Sequence, residues 1–297
     1  MAYAALDVAG ERVPYYDMHD QSRSEISSLR AEVRRLRKIL YQRTPALTVL
    51  LKRRGFTIYK KEPADDLLIP AKRYLDEYYR MLHKYSFRLF LRDVIKHQQS
   101  FTLDLVTRYA TPAVTRRYLD YCSSVKLIKK KGGVFVLAKG PIMSFGETLE
   151  WYIAELFKRE FGSEAVWGVK FKRPRVGGDY DVIAKFDGSL LYMEVKSSPP
   201  KQIYDSEIAA FFDRVDDLAP AIAVFLMDTE LRMMDKLVPM FEKELKKRLK
   251  KPPDVLRIER ELFQVRDRIF IINAKESILR NIETATGWYY RKTFTAT

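Results

Sequence analysis

The chain has 297 residues, with 54 Lys and Arg against 39 Asp and Glu and a formal net charge of +15. At roughly 100–200 residues per domain its length suggests two domains, and a 47% hydrophobic content excludes wholesale disorder. A single cysteine, Cys122, excludes an intramolecular disulfide framework and a Cys-rich zinc site, and three scattered histidines argue against a His-based centre, so any metal must sit on oxygen ligands. The longest strictly apolar run, Ala221 to Met227, is far below the 18 or so residues of a membrane span. No membrane partner and a cytoplasmic location are therefore expected.

The charge is segregated. Residues 1–140 hold 28 Lys and Arg against 14 Asp and Glu, whereas residues 141–297 hold 26 against 25. A positive field confined to one half attracts polyanions, and DNA is the expected partner.

Residues 1–20 carry Pro14 and no periodicity, which predicts an irregular leader. A basic helical region, 21–85, follows. Ser22 and Glu25 have the spacing of a capping box, and Ile26, Leu29, Val33, Leu36 and Leu40 form one stripe opposite an Arg-rich face. With about two heptads, packing of this stripe on its own chain is favoured over a dimer zipper, and a homodimer is the alternative. Thr44-Pro45 opens a second short helix, 46–54, closed by Gly55; residues 56–60 read as extended and 71–84 as helical.

Within residues 86–140, Phe87, Phe90, Leu91, Val94 and Ile95 mark one helix, and Leu103, Leu105, Val106 and Tyr109 a second, short one. Thr111 can cap, and Pro112 can open, a third helix that packs through Val114, Tyr118, Leu119 and Val125 while Thr115, Arg116 and Arg117 point outward. Residues 126–137 read as a hairpin around Gly132-Gly133, with Lys129, Lys130 and Lys131 at its tip. Together these resemble a winged helix-turn-helix domain. The resemblance implies base-edge or phosphate contacts for Thr115, Arg116 and Arg117 and phosphate contacts for the three lysines.

Residues 141–297 change character. A helix over 146–161 precedes three extended segments, 166–172, 179–186 and 190–196, the last two joined by an Asp187-Gly188 turn. A helix over 206–218, the apolar strand 221–227, a basic helix near 231–250, a strand over 268–272 and a helix over 275–284 complete an α/β domain. Alternation puts Asp179 and Asp181 on one face of their strand, Glu194 and Lys196 likewise share a face of theirs, and strand pairing can bring those faces together, with Asp181 within a residue or so of opposite Glu194. Two carboxylates beside an ammonium suit Mg²⁺ with waters and a phosphate oxygen, and the lysine could orient or help deprotonate an attacking water.

The string Gly-Gly-Asp-Tyr-Asp-Val-Ile at 177–183, with Met-Glu-Val-Lys-Ser-Ser at 193–198, resembles the PD-(D/E)XK nuclease superfamily, over about 146–228. Tyr180 stands where the family name has proline. The resemblance implies a restriction-endonuclease-like mixed-sheet core, α-β-β-β-α-β, behind a mainly helical winged-helix domain. It also implies a Mg²⁺ site, open to Mn²⁺, on Asp181, Glu194 and the Val195 carbonyl, with Lys196 positioning water. Gly146-x-x-x-Glu150 resembles the family's acid-bearing helix, so Glu150 is the further acid, with Glu147 and Asp179 in reserve. The expected activity is a metal-dependent DNA endonuclease. The rivals are a non-catalytic DNA-binding protein on the same scaffold and cleavage of RNA or nucleotides.

Overall fold

The computed structural model describes residues 15–43, 45–61, 66–172 and 176–294. Two compact units emerge, Met1–Ala46 and Leu47–Thr297. In the first, a single helix, α1 (Tyr15–Arg43), runs through the position where Ser22 was expected to cap. It includes residues 15–20 of the expected leader, whose residues 1–14 lie outside the described ones. Ile26, Leu29, Val33 and Leu36 of this helix are 45–59% exposed.

The second unit begins with α2 (Leu47–Arg53) and β1 (Ile58–Lys60), then a 3-10 turn over 72–74 and α3 (Leu75–Leu82). Next come α4 (Tyr85–Lys96), α5 (Leu103–Val106) and α6 (Pro112–Ser124), followed by β2 (Ile128–Lys131) and β3 (Val134–Leu137). Phe87, Phe90, Leu91, Val94 and Ile95 of α4 are all buried, as their spacing predicts. Thr111 accepts a hydrogen bond from the Val114 amide and Pro112 opens α6. Gly132 and Gly133, at φ 55° and 89°, form the tight turn of the hairpin, a conformation two side-chain-bearing residues would resist.

The remainder is α7 (Gly146–Glu160), β4 (Ala165–Phe171), β5 (Tyr180–Phe186), β6 (Ser189–Lys196), α8 (Asp205–Leu218) and β7 (Ile222–Met227). It closes with α9 (Leu237–Arg248), β8 (Leu256–Glu259), β9 (Leu262–Val265), β10 (Ile269–Asn273) and α10 (Ile278–Phe294). Eight strands make one mixed sheet in the order β1-β4-β5-β6-β7-β10-β9-β8. β4, β5 and β6 are successive antiparallel neighbours, whereas β6-β7 and β7-β10 are parallel. β1, from the stretch read as a basic helical region, pairs with β4.

Every residue of β7 is buried, as expected of a strand covered on both faces. One face of the sheet, with Val182, Met193, Val224 and Phe270, packs in a core that also holds residues of α3, α4, α6, α7 and α10. The other, with Ile183, Tyr192, Phe225 and Ile271, packs against α2, α8 and α9. No helix among the described residues is long and apolar enough to cross a membrane.

Candidate active site

The candidate acids gather at one end of β5 and β6, between a helix on each face of the sheet. Val182 pairs with Met193, so the next register step sets Asp181 opposite Glu194, as the hairpin spacing predicts. Asp181 accepts a 2.7 Å hydrogen bond from the Val195 amide. Glu194 is 2% exposed, and the phenol of Tyr192, two residues back on the same strand face, donates to its Oε2. Lys196 Nζ lies 2.8 Å from Glu194 Oε1 and 3.4 Å from Oε1 of Glu207, in the first turn of α8. Glu207 also accepts from the Tyr204 amide and so caps that helix, which fixes the rim of the site.

Electrostatics tie Glu150 of α7 to the strand residues. Burial first, then the negative charges of Asp181, Glu147 and Glu194, push the Glu150 carboxyl well above the ordinary range. Burial and the Glu194 charge raise Asp181 to about 8, against the opposing pull of Lys196 and the Val195 amide. For Lys196 burial disfavours the charged form, but Glu194 and Asp181 outweigh it, so the amine is held protonated. It can therefore donate a hydrogen bond and orient a neighbouring group.

Two residues of the site escaped the sequence reading: Glu207 and Arg214, both of α8. Arg214 donates from Nη1 to Glu194 Oε2 at 3.0 Å, so this carboxylate is held by an arginine, a lysine and a tyrosine. The Gly-Gly lead makes room for it: a Cβ on Gly178, whose φ is 96°, would stand 2.6 Å from Arg214 Nη2. Gly178→Ala is accordingly expected to cost about 1–2 kcal/mol, from the left-handed backbone and the displaced guanidinium. Gly177→Ala, with nothing near its Cβ, should be nearly neutral. Equal melting temperatures for the two variants would remove this role from Gly178.

Both reserve residues act electrostatically on Glu150 and have partners of their own. Asp179 lies just before β5 and pairs with Lys170 at 3.1 Å on the surface, and Glu147 accepts from the Asp66 amide at 3.2 Å. Thr115 is a correction: it is 1% exposed, and its hydroxyl donates to the Thr111 carbonyl at 3.1 Å, so it is not free to touch a base. Arg116 and Arg117 of α6 and Lys129, Lys130 and Lys131 of β2 are exposed.

Carboxyl groups whose pKa burial and mutual repulsion raise suit a hard divalent cation, whose charge would favour their ionised, ligating form. Glu194 fits less well, because both its oxygens already face cations. Among the described residues no three His, Cys, Asp or Glu side chains stand arranged to hold a metal ion.

No family model matches the chain, and no curated protein does. Among solved structures it is similar to Can2 from Sulfobacillus thermosulfidooxidans in complex with cyclic tetra-adenylate, at 14% identity and a TM-score of 0.48. That match covers 82% of this chain and 60% of the other. It is also similar to protein VC1899 from Vibrio cholerae, at 14% identity and a TM-score of 0.38, over 75% of this chain and 53% of that one. The chain thus spans only about half to three fifths of these solved chains.

Proposed function

We propose that the protein is a metal-dependent nuclease with a restriction-endonuclease-like core, acting on DNA held by a basic winged-helix segment. The observation that carries this reading is the joining of Glu150, Asp181, Glu194 and Lys196, from α7 and two paired strands, into one electrostatically coupled cluster. Asp181, Glu150, the Val195 carbonyl and Glu194 would hold Mg²⁺ or Mn²⁺, Glu194 after yielding an oxygen now held by Arg214 or Lys196. Such an ion supplies Lewis acidity toward a phosphoryl oxygen and lowers the pKa of a bound water. Lys196, protonated and 2.8 Å from Glu194, would donate a hydrogen bond to the attacking water or the scissile phosphate. Arg214 would keep the Glu194 carboxylate in place and offset its charge.

A second reading is a binding protein that keeps the scaffold without cleaving. The engagement of Glu194 by Arg214, Lys196 and Tyr192 favours it. A panel of duplex, single-stranded, flapped and four-way DNA together with RNA, with Mg²⁺ or Mn²⁺, separates the two. Metal-dependent cleavage that Asp181→Ala abolishes without loss of binding is the expected result. Binding without cleavage of any member would leave the second reading standing, and cleavage of RNA alone would change the substrate class.

The basic segment has its own test. Replacing Lys129, Lys130 and Lys131 by alanine should flatten the slope of log K against log salt by up to about 0.9 for each phosphate that is no longer neutralised. An unchanged slope would show that the hairpin does not touch the backbone.

A further inference from the structure

The strongest feature outside the acid cluster and the basic hairpin is α1, whose apolar stripe is exposed. Ile26, Leu29, Val33 and Leu36 are 47%, 59%, 45% and 53% exposed and follow steps of three, four and three residues. Helices in proteins gain most of their stability from packing an amphipathic face and not from propensity, and a recurrent exposed apolar stripe marks a surface for another element. Four features of its sequence identify the cover.

Taking Ile26 as position a of a heptad puts β-branched Ile26 and Val33 at a and Leu29 and Leu36 at d, and Leu40 falls at the next a. β-branched residues at a with leucine at d favour two parallel strands. The flanks agree. Glu25 and Glu32 fall at g, and Arg30 and Arg37 fall at e. In a parallel pair each g residue faces the e residue five positions later on the partner, so Glu25 meets Arg30 and Glu32 meets Arg37, in both directions across the two-fold axis. In an antiparallel pair g faces g and e faces e, which sets glutamate against glutamate and arginine against arginine. Within the helix, and among the described residues, Glu32 makes a 3.8 Å contact with Arg35, both well exposed, which competes weakly with a partner.

We propose that α1 pairs with α1 of a second copy of this chain as a parallel two-stranded coiled coil. The inference stands apart from the nuclease reading, since none of these residues belongs to the acid cluster. It also fixes orientation and register, which the length of the stripe alone does not.

The test uses the full chain and its molar mass in solution, by sedimentation or light scattering over a micromolar dilution series. A dimer is expected for the natural sequence, and Leu29→Asp with Leu36→Asp should weaken it at least tenfold while the melting of the Leu47–Thr297 unit is unchanged. Glu25→Arg with Glu32→Arg should self-associate poorly, as should Arg30→Glu with Arg37→Glu, and an equimolar mixture of the two should recover a dimer. A monomer for the natural sequence, or a dimer that survives the aspartates, overturns the proposal. So does a mixture that fails to associate, or charge variants that each dimerise as well as the natural chain. Dimerisation that appears only with added DNA or anionic vesicles would likewise overturn it and assign the stripe to that surface.

Discussion

Replacing Asp228 with alanine should lower stability by about 3–5 kcal/mol, one of the largest effects expected of any single change in the chain. Asp228 follows β7 directly and is 0% exposed. Arg88 of α4 meets it through Nε, 3.0 Å from each carboxylate oxygen, and through Nη2 at 2.7 Å from Oδ1. Arg92, one turn on, reaches Oδ2 and also donates to the Asp228 carbonyl at 3.1 Å. Arg88 is 1% exposed and lies between the rings of Tyr85 and Tyr152, 5.4 and 5.8 Å from their centroids. Without the carboxylate a buried guanidinium loses its counter-charge, and that uncompensated charge, more than the lost bonds, sets the cost.

For a unit of this size the loss corresponds to a drop in melting temperature of roughly 10 °C. Because the cost is the orphaned charge, Asp228→Leu combined with Arg88→Met should recover much of it. The pH dependence has a definite sign. Burial raises the Asp228 pKa, but Arg88 and Arg92 outweigh burial and leave it below the usual 3.8. A depressed folded-state pKa contributes stability above the unfolded value, so the advantage over Asp228→Asn is present at pH 7 and is lost as pH falls below about 4. Asp179→Ala, which breaks the exposed pair with Lys170, should leave melting nearly unchanged. A melting temperature for Asp228→Ala within a degree or two of the natural protein would sink this account of how α4 is fastened to the sheet.

That ion pair also shows where sequence reading stops. Arg88 and Asp228 are 140 positions apart, and neither has a local pattern that points to the other. Elements with their own periodicity are legible: the buried face of α4, the span of α7, the Asp187-Gly188 hairpin and the wholly apolar β7 all lie within a residue or two of expectation. The strands β8 and β9 were missed because each has only four residues and their connection, Arg260-Glu261, lacks the Gly, Asn or Asp that usually marks a turn. The basic helix near 231–250 was drawn too long, since α9 begins at Leu237, after a turn in which the Met233 amide donates to Glu261.

Thr115 went wrong by one step of helical phase. Thr115, Tyr118, Leu119 and Cys122 share a face at spacings of three, four and seven, and all four are buried, whereas starting the stripe at Val114 rotates it toward solvent by about 100°. In the candidate site, Asp181, Glu194 and Lys196 were readable because one hairpin carries all three. Arg214 was not, since a charged residue on an amphipathic helix twenty positions from its carboxylate looks like any solvated one.

If the chain is the metal-dependent nuclease proposed above, Lys196→Ala should slow single-turnover cleavage by orders of magnitude while leaving metal affinity and the fold largely intact. The ammonium is 20% exposed at its side chain and touches two carboxylates, Glu194 at 2.8 Å and Glu207 at 3.4 Å. Its loss does not orphan Glu194, which keeps the Arg214 guanidinium at 3.0 Å and the Tyr192 phenol, so the destabilisation should be small beside that of Asp228→Ala. Lysine is not a metal ligand, and one ammonium is a minor part of the chain's positive charge, so substrate binding should fall only modestly.

On the proposed nuclease reading, the change would remove a fixed donor to the attacking water or the scissile phosphate, and the loss of an interaction made chiefly in the transition state appears in the rate and not in KM. Because Glu194 and Asp181 raise the Lys196 pKa above its ordinary 10.5, the lysine stays protonated through neutral pH. The pH–rate profile should therefore show no limb from its deprotonation below about pH 10. A lysine serving as general base would instead give a rate that climbs as it loses its proton near neutrality. Single-turnover rates across pH, read beside melting curves, distinguish these behaviours from a lysine that merely pairs with Glu194. In that last case cleavage stays normal while the melting temperature falls, and Lys196 leaves the mechanism.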